Sequence, residues 1–182
     1  MAAKTACPPV MATSYTSYKM EESASGTLTA DLIIKNLRLA VKIANRAKAN
    51  GRHPFGCILV GPDNEEVLFS QGNIDTLNHA ESTLCRVAWS NLTPEFLSRC
   101  TLYTNFEPCA MCAGSIYWAN IGRVVYGLPE SRLLELTGSN SENPTMSLSC
   151  RTVLGSGQKN IEILGPFFDL EDEILFDHRE FW

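Results

Sequence analysis

No uninterrupted apolar run in this sequence approaches the ~20 residues that a membrane helix needs. No positively charged start leads into an apolar stretch, so a secretory leader is not expected. No segment repeats, which argues against solenoids and propellers. Basic residues are outnumbered, 15 Lys and Arg against 20 Asp and Glu, for a formal net charge of −5. Dedicated nucleic-acid surfaces are usually basic, so a polyanionic partner is not expected. Histidine is scarce, three in all, and His53 and His178 stand alone. Such isolated histidines read as surface or core residues rather than ligands. The seven cysteines are an odd number, and Cys7, Cys57, Cys85, Cys100 and Cys150 show no metal spacing. They read as small apolar residues or bystanders. A reduced, cytoplasmic setting is expected.

With 45% hydrophobic residues, the chain can bury one domain's core. Residues 1–26, rich in Ser, Thr and Ala, read as a flexible tail, and the domain is expected over 27–182. Ile33, Leu37, Ala40, Ala44 and Ala47 recur at helical steps, with Thr29 or Asp31 as cap and Gly51 as stop. Cys57-Ile58-Leu59-Val60 and Val67-Leu68-Phe69 flank a turn cluster and predict a hairpin. A helix is predicted from His79 to about Ser90, with Asn78 as its cap. Strands are expected at 101–104, 123–127 and 161–166, and helices at 109–120, 131–137 and 169–178. The long polar stretch 138–160 fits either a functional cover or a disordered segment. This order predicts an α/β sandwich on a mixed five-stranded sheet, with helices on both faces.

The chemistry concentrates in His79-Ala80-Glu81 and, about 30 residues on, Pro108-Cys109-Ala110-Met111-Cys112. His79, Cys109 and Cys112 supply three ligands suited to zinc, one ion per chain. Three protein ligands leave the fourth tetrahedral position for water, the pattern of a catalytic rather than a structural site. Glu81 lies two residues past the histidine, placed to carry protons rather than to bind metal. The cysteines, three apart, share one helix face. A helix start and a cation both favour their thiolates.

His-x-Glu followed by Pro-Cys-x-x-Cys resembles the cytidine deaminase-like superfamily of zinc deaminases. The resemblance spans about Pro54 to Tyr126. It implies the three-layer fold, zinc, and hydrolytic deamination with Glu81 as general acid and base. Residues 104–114 resemble both guanine deaminases and tRNA adenosine deaminases. Pro54-Phe55-Gly56 and Ile116-Tyr117-Trp118-Ala119 resemble the guanine side, and the stretch 121–127 resembles the tRNA enzymes. The guanine deaminase Asp expected after the fourth strand is missing, with Glu130 and Glu135 as loose stand-ins. Asn73 is expected to read the edge of a base. Phe55 and Trp118 fit either a pocket wall or the core. Ala80 is expected beside the substrate, and Trp182 with the extension 138–182 is expected to cover it. The leading expectation is deamination of a free purine-type base, guanine first, or of a nucleoside. The alternatives are a tRNA adenosine deaminase and a non-catalytic, zinc-bound partner subunit. A homodimer pairing near the 109–120 helix is also expected.

Overall fold

The computed structural model describes residues 27–138, 140, 141, 143–179, 181 and 182; the expected tail at 1–26 lies outside the described residues. The first helix, α1, covers Ala30–Ala49 and is capped by Thr29, whose hydroxyl accepts from Leu32 N. Its buried stripe, Ile33, Leu37, Ala40, Val41, Ala44 and Ala47, recurs at steps of three and four. Gly51, at φ +72°, turns the chain out of the helix. Strands β1 (Gly56–Val60) and β2 (Val67–Gly72) form the hairpin. Then come α2 (Ala80–Asn91), α3 (Pro94–Leu97), β3 (Thr101–Phe106), α4 (Ala110–Trp118) and β4 (Arg123–Leu128). The chain ends with α5 (Glu130–Thr137), α6 (Cys150–Gly155), β5 (Glu162–Leu164), a 3-10 turn (Phe168–Leu170) and α7 (Glu171–Arg179).

The sheet order is β2-β1-β3-β4-β5. Strand β1 is antiparallel to both neighbours, whereas β3, β4 and β5 run parallel. Alternation along β1 divides the core in two. Cys57 and Leu59 join one cluster, with Leu84, Ala88, Ile116 and Leu154 from α2, α4 and α6. Ile58 and Val60 join the other, with Leu37 and Val41 of α1 and Ile174 and Leu175 of α7. Helices therefore cover both faces, giving the three layers expected. Close approach of α1 depends on Gly56, where an added Cβ would lie 2.4 Å from Ala44 N and 2.8 Å from Ala40 O. Among the described residues, no helix is long and apolar enough to cross a membrane.

Two short helices depart from the expected pattern. Helix α3 starts at Thr93, whose hydroxyl accepts from Phe96 N, with Pro94 in its first turn. Helix α6 forms inside the stretch expected to be irregular, because Cys150 and Leu154, one turn apart, are both buried against the core. The N-cap of α2 is His79 rather than Asn78. Asn78 instead donates its side-chain N–H groups to Asp75, which also accepts from the Leu77 and Asn78 backbone.

Candidate active site

His79 and Cys109 occupy equivalent places: each is an N-cap with extended backbone, at the start of α2 and α4, and neither makes a side-chain capping bond. Cys112 follows in the first turn of α4 and is fully buried. Helices α2 and α4 pack side by side on one sheet face, so their starts converge. His79 Nδ1 lies 3.6 Å from each sulfur. All three donor atoms lie within 4.8 Å of one another. A tetrahedral zinc with Zn–N of about 2.0–2.1 Å and Zn–S of about 2.3 Å sets its N···S edges at about 3.6 Å. The donor set therefore fits zinc in both chemistry and spacing. Hydrogen bonding with Cys112 and His79 pulls the Cys109 thiol well below its ordinary range. The same His79–Cys109 bond raises the imidazole, against burial.

Glu81, in the first turn of α2, is 6% exposed. Burial raises its pKa, while Thr104 of β3 opposes that shift by donating its hydroxyl to Oε1 at 2.6 Å. An inner cavity of about 40 Å³ brings Glu81 together with Phe55, Asn73, His79, Cys109 and a second acid, Glu130. Burial, reinforced by the nearby Cys109, Glu107 and Glu81 charges, pushes the Glu130 carboxyl up to about 7. Asn73 donates its side-chain N–H to Asp75 O, and its buried Oδ1 has no partner. Its backbone N–H donates to Phe55 O, and Asn105 of β3 holds Pro54 O and Gly56 N on either side of Phe55. Outside the inner cavity lies a cleft of about 200 Å³, bordered by His53, Thr76, Met111, Asn143, Pro144, Thr145 and Met146.

The structure separates several of the other expected residues. Phe55 does both jobs left open for it, lining the inner cavity and packing on Phe106 and His178. Ala80 is fully buried in the core under α2, because its methyl faces the sheet. Trp118, at the end of α4, is 75% exposed and lines a different, outward groove. Trp182 packs on His53, Phe55 and His178 and donates its indole N–H to His178 Nδ1. It braces the wall that carries Phe55 and is not among the residues lining either cavity. Glu135 faces solvent and pairs with Arg132. Sequence reasoning missed Asn143, which borders both spaces from within the polar stretch.

The cytidine and deoxycytidylate deaminase zinc-binding region matches residues 32–128. The chain belongs to this deaminase family. It is 39% identical over 162 residues to a probable cytosine deaminase of Schizosaccharomyces pombe, covering 87% of this chain and 97% of that protein. It is 36% identical over 98 residues to a tRNA-specific adenosine deaminase of Haemophilus influenzae, covering 51% of this chain and 56% of that one. A solved guanine deaminase from Nitrosomonas europaea has the same fold, with a TM-score of 0.62 at 20% identity over 89% of this chain and 97% of that one. The chain is thus a zinc-dependent hydrolytic deaminase, and His79, Cys109 and Cys112 are a group that can hold the zinc.

Proposed function

We propose that this deaminase releases ammonia from a free aminated nucleobase, cytosine first and guanine second. The observation that carries the reading is the inner cavity, where two carboxyl groups and the unpartnered Asn73 Oδ1 converge beside the zinc ligands. Zinc bound there supplies a Lewis acid that brings the pKa of water to about 7. Glu81 takes a proton from the attacking water and passes it to the ring nitrogen next to the amino-bearing carbon. Glu130, poised near neutrality, carries the second water proton to the departing amine. The C–N bond breaks, and the base keeps the oxygen as a carbonyl. Asn73 Oδ1 accepts from a ring or amino N–H, and Phe55 lies against the ring. Cytosine moves ahead of guanine because the likeness to the probable cytosine deaminase runs along almost the whole chain.

Among the described residues, no Lys or Arg lines the inner cavity or the outer cleft. Phosphate contacts supply much of the affinity for nucleic acids, so this lining supports a free base. The tRNA reading draws support from Arg46 and Arg52, which border a separate groove of about 290 Å³ that also touches Asn73. The test assays ammonia from cytosine, guanine, adenine and their nucleosides, beside a full-length tRNA assayed for inosine. Cytosine turnover is the expected result, and inosine formation with no activity on any base or nucleoside would overturn the reading.

A homodimer is part of the proposal. The outward groove between α2 and α4, about 640 Å³, carries Trp89, Met111 and Trp118, and both tryptophans are exposed. Met111 also borders the cleft, so a second copy seated there would adjoin the site. Light scattering at micromolar concentration should return twice the 20.1 kDa chain mass.

A further inference from the structure

We propose that Glu107 is a positioning residue, whose carboxylate holds the 143–149 segment over the cleft and sets Glu130 beside Glu81. The inference rests on the nucleobase reading above. Glu107 sits at the end of β3, directly before Pro108 and Cys109, and is 7% exposed. Its backbone N–H donates to Leu128 O at 2.7 Å, fixing it to the end of β4. Carboxylate Oε1 accepts from Ser149 Oγ at 2.7 Å and from Cys150 N at 2.9 Å. Oε2 accepts from Glu130 N at 3.2 Å. Both oxygens are thus engaged, and every donor belongs to an element that borders or leads into the cleft.

The starts of both helices meet this one carboxylate. Helix α5 has Pro129 as its N-cap, a residue with no side-chain acceptor, and Glu107 supplies one from outside. Glu130 is the first residue of that helix, so the contact at its backbone places its carboxyl. Helix α6 begins at Cys150, immediately after the 143–149 segment. The Ser149 hydroxyl accepts from Arg151 N and donates to Glu107, tying the segment's downstream end to the zinc loop. Asn143, Pro144, Thr145 and Met146 line the cleft ahead of that tie. One buried carboxylate therefore joins three parts of the site that lie far apart in sequence. A purely structural acid would need none of its donors to border the cleft.

The experiment separates the two duties. Ser149→Ala removes the tie to Glu107 together with the α6 cap and leaves Glu130 N on Oε2, so KM for the reacting base should rise about tenfold while kcat changes less than threefold. Ser149→Thr, which restores the hydroxyl, should return KM to near its original value. Glu107→Gln turns an N–H toward at least one donor, so it should raise KM and also lower kcat about tenfold or more through Glu130. All three proteins should retain one equivalent of zinc. Amide hydrogen exchange on the zinc-loaded proteins should quicken at 143–150 in Ser149→Ala, and at 130–133 as well in Glu107→Gln. Unchanged KM and unchanged exchange in zinc-loaded Ser149→Ala would overturn the proposal, as would a fall in kcat alone. If Glu107→Gln loses zinc, the comparison of Ser149→Ala with Ser149→Thr still decides. If no base is turned over, the nucleobase reading fails, and the exchange measurement judges the tie by itself.

Discussion

Glu81 accepts from the Thr104 hydroxyl through Oε1 and borders the cavity, an arrangement that suits a group that changes protonation during turnover. Glu81→Gln should fold and bind about one zinc but lose activity toward the upper end of the ~10²–10⁴-fold range of general acid–base groups. Paired zinc analysis and ammonia assays check this, and a loss under tenfold would reject the role. His178 makes a prediction of a different kind. Burial pushes its pKa from 6.5 down to about 3, and its Nδ1 accepts the Trp182 N–H, so the native protein holds it neutral. The unfolded chain takes up that proton as the pH drops below about 6.5, whereas the native protein does not until about 3. Stability from this group is complete above 6.5 and declines toward 3, by at most about 1.4 kcal/mol per pH unit. His178→Gln should therefore show a shallower fall in Tm between pH 6.5 and 4.5 than the parent protein. Equal slopes would refute the assignment. The ligands and Glu81 were legible because their chemistry demands fixed spacings. Glu130 was legible only as a loose stand-in beside Glu135, and Asn143 not at all, since it is one polar residue in a stretch without periodicity, brought in only by tertiary contacts.

Elements were legible where they repeat a pattern over several turns or strands. Helix α1, the hairpin and the parallel strands all announce themselves by periodicity and turn residues. Helices α3 and α6, with four and six residues, are too short for a periodic signal. Only their starts carried information, Thr93-Pro94 in one and Ser149 in the other, and a hydroxyl before a polar stretch is a weak sign by itself. The contact between α1 and β1 sets a further expectation. Gly56→Ala drives a methyl into the backbone of Ala44 and Ala40, which cannot yield as a side-chain tip can. The loss should be about 1–3 kcal/mol or more, the usual scale of overpacking. Urea unfolding checks this, and an unchanged midpoint would mean that α1 shifts freely over the sheet. Such a shift would also move Gly56 relative to Asn105, and with it the Phe55 wall.

For the molecule as a whole, the three-layer order followed from the sequence of elements, while the position of the site depends on two helices starting at one point. Cys109→Ser should lower zinc content well below one equivalent and lower Tm, because binding energy at a preformed site adds to folding stability. Full zinc loading and full activity would remove Cys109 from the ligand set. There is also a consequence for how order spreads through the chain. His79 and Cys109 stand where a serine or aspartate would ordinarily secure the first turn, yet neither side chain turns back to its own helix. Their donor atoms lie 3.6 Å apart, so one ion bound there would fasten two helix starts that come from separate parts of the chain. Chelation should quicken amide exchange at 80–83 and 110–113 together, while the middle of α1 keeps its protection. A chain without zinc should thus lose its chemistry and the order of both helix starts in a single step, so that one exchange measurement reads both.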